Sequence, residues 1–181
     1  MMIKNKKWIL KERPIGLVKD SDFELVSEEL PAINEGEILI ENIYLSFDPT
    51  QRSWLNDVPG YLPPVKIDEV VRSGGIGRVI DSKNPDYKTG DLTFGLVGWQ
   101  THCLTKPSVE DRFRVIPDLL PMPTMLNVMG STGITAYYGL VELGKPKSGE
   151  TVLVSGAAGA TGSVVVQIAK LKGCHVIGIA G

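Results

Sequence analysis

The chain has 181 residues, 43% of them hydrophobic and 22% charged, the proportions of an ordinary globular protein. Its net charge of −2 gives no electrostatic reason to hold nucleic acid or an acidic membrane, and no basic run with interleaved aromatics occurs. Two cysteines, Cys103 and Cys174, exclude a disulfide framework and suit a reduced, cytoplasmic compartment. Nothing before Trp8 has the apolar core of a signal peptide, and Gly and Ser interrupt the most apolar window before it reaches bilayer length.

In chain order, the first part is a series of short strand signals. Lys7–Glu12 and Phe23–Ser27 alternate. Glu37–Leu45 is longer, with Ile38, Ile40, Asn42 and Tyr44 on one face and Leu39, Glu41, Ile43 and Leu45 on the other. Ser46-Phe-Asp-Pro-Thr-Gln-Arg52 then clusters polar groups at a Pro turn, where Asp48 and Arg52 are placed to pair. Tyr61-Leu-Pro-Pro64 sets a tyrosine in a rigid loop, as a half-buried anchor or as part of a site. Gly74–Asp81, Asp91–Val97 and Gln100–Leu104 read as further strands. Regular short strands with Gly and Pro punctuation predict a small β barrel or sandwich.

The proline-rich stretch Pro117–Pro123 predicts a boundary, with domains at residues 1–123 and 124–181. Beyond it Leu126, Met129, Ile134, Tyr137, Tyr138, Val141 and Leu143 are helically spaced, with a break at Gly130 and Gly133.

Glu150–Gly181 carries the strongest signal. Val152–Val154 reads as a buried strand, Gly156–Gly162 as a Gly/Ala-rich turn, Val164–Lys172 as a helix stopped by Gly173, and Cys174–Ala180 as a second buried strand. A Gly-x-x-Gly-x-x-Gly spacing alone is weak. Between a strand and a helix it is the context a dinucleotide-binding turn requires. Ala157, Gly159 and Gly162 occupy its three small-residue positions. Gly159 lets a pyrophosphate approach the backbone, with Ala158, Ala160 and Thr161 beside it, and Gly162 lets helix and strand pack closely.

Other chemistry is not legible. His102 and His175 lie in strands with no Cys, Asp or Glu at metal-ligand spacing, so no metal site is expected. No Ser-His-Asp order and no Gly-x-Ser-x-Gly elbow occurs.

The motifs Tyr44-Leu-Ser-Phe-Asp-Pro49 with Arg52, Tyr61-Leu-Pro-Pro-Val65, Gly98-Trp-Gln-Thr101, Gly133-Ile-Thr-Ala-Tyr137 and Ala157–Gly162 running into Gln167–Cys174 span nearly the whole chain. Together they resemble the zinc-independent medium-chain dehydrogenase/reductase superfamily. Within it, the resemblance is to the branch of leukotriene B4 dehydrogenase/prostaglandin reductase, curcumin reductase and alkenal double-bond reductases. The resemblance implies a GroES-like β barrel followed by the β-α-β start of a Rossmann domain, with NADP(H) in the cleft. It implies hydride delivery to the β-carbon of an α,β-unsaturated ketone or aldehyde. Tyr61 or the cofactor ribose then supplies a hydrogen bond to the developing enolate. It adds Asp48, Pro49, Thr50 and Thr135 to Ala158, Gly159, Ala160, Thr161 and Gly162 as cofactor contacts. A homodimer is the expected assembly.

Where zinc-dependent relatives carry a Cys, a His and a further Cys, this chain has none in Tyr44–Gln51, none in Asp68–Gly74, and Ser131. Many relatives have Tyr after Asp-Pro; this chain has Thr50. The resemblance also implies that the ribose- and 2′-phosphate-reading residues follow Gly181, so the chain reads as the N-terminal part of a longer enzyme. A quinone reductase of the same superfamily and a truncated, non-catalytic binding or dimerising module are the alternatives. The apolar surface around Val164–Val166 and Val176–Ile179 is expected to stay unburied.

Overall fold

The computed structural model describes residues 3–118 and 121–181. Two compact units form, Met1–Asp118 and Leu119–Gly181. The division falls inside the proline-rich stretch, of which Leu119 and Leu120 lie outside the described residues.

The first unit is built on antiparallel strands. β1 (Lys4–Leu10) pairs with β2 (Phe23–Glu29). β3 (Ile38–Leu45), β4 (Gly74–Ser82), β5 (Leu92–Leu96), β6 (His102–Thr105) and β7 (Arg114–Val115) form a second sheet in the order β6-β3-β4-β5-β7. β7 has only two residues, too few for a period to show in sequence. On its other side β1 is bonded to Glu69–Val71 and to Trp99–Thr101, through Leu10 N to Glu69 O (3.0 Å) and Trp8 N to Trp99 O (2.8 Å). The buried Asn5 secures this seam: its amide donates to Gln100 Oε1 at 2.9 Å, and its Oδ1 accepts from His102 N at 3.0 Å and Thr101 Oγ1 at 3.1 Å. A buried amide so satisfied costs little and specifies register.

Two apolar clusters hold this unit. Ile38, Ile40, Val79, Val97 and Cys103 fill one. Leu10, Trp54, Leu55, Val65 and Val71 fill the other, with Phe23, Leu62 and Trp99 against them. Each fully buried aliphatic side chain contributes about 1.5–3 kcal/mol. β3 departs from strict alternation: Ile38, Leu39 and Ile40 are all buried, and register shifts occur at Leu39/Ile40 and Asn42/Tyr44. Such irregularities re-aim side chains, and β3 runs into the corner that carries α1 (Thr50–Trp54).

In the second unit α2 (Met122–Leu126) precedes α3 (Ser131–Tyr137), which continues as a π-helical segment, Tyr138–Gly144. The chain breaks at Gly130, which caps α3, but not at Gly133, which is helical. Gly133 is needed for contact instead, because a Cβ there would overlap the Val128 carbonyl.

β8 (Thr151–Ser155), α4 (Ala160–Leu171) and β9 (His175–Ile179) follow, with β8 and β9 parallel and in register Leu153↔Ile177. Three expectations are corrected here. α4 begins at Ala160, not Val164, because Gly159 is its N-cap; apolar spacing marks only the packed part of a helix, and its first turn is small and polar. The strands are not buried on both faces: Leu153 is 64% exposed, Ile177 and Ile179 each 55%. These three share the face away from Val154, whose side chain is buried, and alternation puts them all on one side. Val164 is buried rather than bare, since α3 and both strands pack on α4.

Candidate functional site

The turn between β8 and α4 is set by Gly156, whose φ of +63° lies in the left-handed region. The residue that makes the sharp turn is therefore Gly156, one place before the Ala157 that the motif spacing puts first. Ala157 donates its N–H to Ile179 O at 2.9 Å, locking the turn to the end of β9. Gly159 N donates to Gly156 O at 2.9 Å, and Ser163 N closes the first helical bond to Gly159 O at 2.9 Å. The amides of Ala160, Thr161 and Gly162 have no acceptor among the described residues. They carry the partial positive charge of a twelve-residue helix end. A Cβ on Gly162 would overlap the Gly156 carbonyl, so glycine is required there for helix and turn to meet. A Cβ on Gly159 would lie 3.1 Å from that same oxygen and otherwise point to open space. Ala158, Gly159 and Ala160 are exposed. The turn thus presents small residues and free amides outward, the cradle an anionic phosphate fits.

Thr135 is on α3, which packs against α4. It is exposed, and its hydroxyl donates to Ser131 O at 2.7 Å within its own helix. It shares no hydrogen bond with the turn among the described residues.

In the first unit the β3–α1 corner gathers Asp48, Pro49, Thr50 and Tyr61. Gln51 Nε2 and Ser73 Oγ both donate to Ser46 O, at 2.7 and 2.8 Å, and Ser46 Oγ donates to Asp48 Oδ2 at 2.7 Å. Thr50 Oγ1 and the Tyr61 phenol share a hydrogen bond of 2.8 Å, while the Tyr61 ring packs edge-on against Trp54 at 6.2 Å. Thr50 and Trp54 are four apart on α1, so one helix face meets the whole tyrosine.

The expected Asp48–Arg52 pair does not form. Arg52 Nη1 donates to Asn56 Oδ1 at 2.6 Å, and Nη2 donates to Pro14 O and Gly16 O at 3.1 and 2.9 Å. A guanidinium fork suits two neighbouring carbonyls of a loop, and the loop is brought there by β1 and β2.

A pocket of about 460 Å³ opens between this loop and the corner. Asp48, Pro49 and Arg52 line it with Leu17, Phe47 and Trp99; Tyr61 and Thr50 do not. The sequence marks Phe47 only as part of the Ser46–Arg52 motif and does not mark Leu17; they are 76% and 88% exposed, and nothing in a sequence tells an open apolar side chain from a core one.

Among the described residues, no group of three or more His, Cys, Asp or Glu is placed to hold a metal ion, and no helix is long and apolar enough to cross a membrane. Cys103 is buried, and its thiol is pushed up to about 12, first by loss of hydration and then by the charge of Asp111. It is no nucleophile.

Residues 6–111 match the family model described as the N-terminal domain of oxidoreductase. The chain is 40% identical over 178 residues to NADPH-dependent curcumin reductase of Escherichia coli (strain K12), covering 98% of this chain and 51% of that protein. It is 41% identical over 181 residues to prostaglandin reductase 1 of Bos taurus, covering 99% and 53%. The crystal structure of CurA in complex with NADPH from Vibrio vulnificus matches with a TM-score of 0.86 at 38% identity, covering 97% of this chain and 52% of that one. The chain spans about half the length of the relatives it matches. The strand-rich unit is a GroES-like β barrel and the β8–α4–β9 unit the start of a Rossmann fold. Fold, motifs and relatives agree: the chain belongs to the zinc-independent medium-chain dehydrogenase/reductase family.

Proposed function

We propose that this chain serves the NADPH-dependent reduction of the C=C bond of α,β-unsaturated ketones and aldehydes. The observation that carries the reading is the turn at Gly156–Gly162, with its unpaired amides and its glycine that no side chain can replace. These features fit a pyrophosphate. Ala158, Gly159, Ala160, Thr161 and Gly162 hold it, and Thr135, Asp48, Pro49 and Thr50 are the further contacts the family pattern implies. Family members named for NADPH or crystallised with it support the choice of NADPH.

NADPH held there would supply the hydride for the β-carbon of the conjugated carbonyl. The chain's own task is alignment and charge stabilisation. Tyr61 donates its phenol hydrogen bond to the oxygen on which enolate charge develops. Thr50 fixes the direction of that phenol. Solvent returns a proton to the α-carbon, so no strong acid is required of the protein.

The bare face at Leu153, Ile177 and Ile179 favours a second reading, in which the 181-residue chain alone binds a partner or itself and does not turn over. NADPH binding to the purified chain, read by tryptophan fluorescence with circular dichroism to check folding, separates the two. Saturable binding followed by enone-dependent loss of NADPH absorbance supports the reductase. A folded chain that binds no NADPH leaves the second reading.

A further inference from the structure

The loop that carries Tyr61 is short of hydrogen bonds of its own. From Asp57 to Pro64 no backbone amide donates to another backbone group among the described residues. Pro59, Pro63 and Pro64 have no amide proton to give. Such a segment is held through its carbonyls and side chains, by groups that other parts of the fold bring to it. Leu62 packs on the cluster of Leu10, Trp54, Leu55, Val65 and Val71. Apolar packing is non-directional, so it seats the loop without aiming the tyrosine beside it.

Arg72 supplies a directional tie. Its Nη1 donates to Pro63 O at 2.7 Å, and its guanidinium carbon lies 5.5 Å from the centroid of the Trp54 ring. The Tyr61 ring meets that same indole edge-on at 6.2 Å. One cation therefore holds both the carbonyl two residues beyond Tyr61 and the ring on which Tyr61 rests. No carboxylate pairs with Arg72 among the described residues, so no ion pair competes for it. Its own backbone is fixed. Val71 and Ser73 on either side are 1% and 0% exposed, with Val71 N donating to Trp8 O at 3.0 Å and Ser73 Oγ to Ser46 O at 2.8 Å. A planar guanidinium gives a charge-assisted hydrogen bond and a cation–π contact at once, in a geometry an ammonium cannot reproduce.

We propose that Arg72 is the positioning residue for the Tyr61 phenol, acting through Pro63 and Trp54. With the loop so held, the phenol oxygen comes to 2.8 Å from Thr50 Oγ1. That the phenol serves the reduction rests on the function proposed above; that Arg72 fixes its place does not.

The test labels the 181-residue chain with fluorotyrosine and records its fluorine NMR spectrum without NADPH. Of its five tyrosines, Tyr44, Tyr87, Tyr137 and Tyr138 are internal controls, and Tyr61→Phe assigns the Tyr61 resonance. Arg72→Met keeps a long side chain and removes its charge and donors. The Tyr61 resonance is expected to move toward that of free tyrosine and to narrow, while the other resonances stay in place. Arg72→Lys is expected to recover part of the shift, because it keeps a cation but not the fork. If Arg72→Met does not fold, Arg72→Ala replaces it. An unchanged Tyr61 resonance in a folded truncation, movement of all the resonances together, or a chain that folds with neither truncation each overturn the proposal.

Enone reduction is scored separately. Where the parent chain turns over, Arg72→Met is expected to lower kcat by about fivefold with KM nearly unchanged, as a misaimed donor does. In a Tyr61→Phe background it should add no further loss, and an additive loss overturns the proposal. A shifted Tyr61 resonance without turnover by the parent leaves this inference standing and counts against the reductase; turnover with an unmoved resonance does the reverse.

Discussion

The phenol oxygen of Tyr61 lies 2.8 Å from the hydroxyl of Thr50. The two residues are eleven apart in sequence, and α1 and the Tyr61–Pro64 loop must both form before they meet. Tyr61 is 67% exposed, so the bond itself stabilises the fold little. Its consequence is direction. Tyr61→Phe is expected to lower kcat for enone reduction by about tenfold or more with KM nearly unchanged, the pattern of a lost transition-state donor. Thr50→Val should give a smaller fall of the same kind. A rise in KM with kcat intact would assign Tyr61 to binding alone.

The nucleotide turn separates packing from ligand approach. Gly162→Ala places a methyl on the Gly156 carbonyl and is expected to destabilise the second unit by about 1–3 kcal/mol. Gly159→Val brings its Cβ to 3.1 Å from the Gly156 carbonyl oxygen and meets nothing else, so it should destabilise the unit less than Gly162→Ala while abolishing NADPH binding. Calorimetry and fluorescence titration on both variants check this, and retained affinity in Gly159→Val removes the phosphate cradle.

Arg52 ties the Pro14–Gly16 loop to α1 through two carbonyls. Arg52→Ala should cost about 1–3 kcal/mol in urea unfolding, because the carbonyls and Asn56 lose a charged donor. Limited proteolysis should then cut first between Ile15 and Val18, which are already exposed. Arg52→Lys is expected to recover only part of the loss, since an ammonium cannot span both carbonyls as a fork does.

The Cys103 thiol gives a pH signature. Its folded value of about 12 lies above the ordinary 9.0. The unfolded chain therefore ionises first and binds fewer protons than the fold between those values. Stability from this group is full below pH 9 and falls as pH rises toward 12, by about 1.4 kcal/mol per unit at most. Cys103→Ala should flatten that part of the pH–stability curve relative to the parent. Native titration with a thiol reagent at pH 8 should find Cys174, the less buried thiol, and spare Cys103 until denaturant is added.

Leu153, Ile177 and Ile179 form an uncovered apolar face on a parallel strand pair. Parallel sheets are normally covered on both faces. The purified chain is expected to self-associate with rising concentration. Ile177→Lys should shift the sedimentation profile toward monomer without changing the circular dichroism spectrum; an unchanged profile would place the contact elsewhere.

Much of this molecule was legible as pattern. Alternation located β1, β2 and β3 to within a few residues, because the pleat imposes a period of two on a half-buried strand, and Gly- and Pro-rich turn punctuation bounded β4, β5 and β6. The Gly-rich turn was legible because only small residues permit a helix to start against a strand end. Its details were not: Gly156 takes the positive φ, and α4 starts at Ala160. Backbone angles leave no mark in a residue string when several small residues stand together.

The chain by itself determined the class of fold, the cofactor-type turn and the family motifs, since each rests on local spacing. Tertiary structure alone decided that Arg52 serves two loop carbonyls and not Asp48, that Tyr61 meets Thr50, and that Leu17 and Phe47 border a pocket while Ile40 lies in a core. The physical reason is common to all three. A guanidinium, a phenol and an apolar side chain each accept many partners of similar energy, and which one is taken depends on what the rest of the fold brings within a few ångströms.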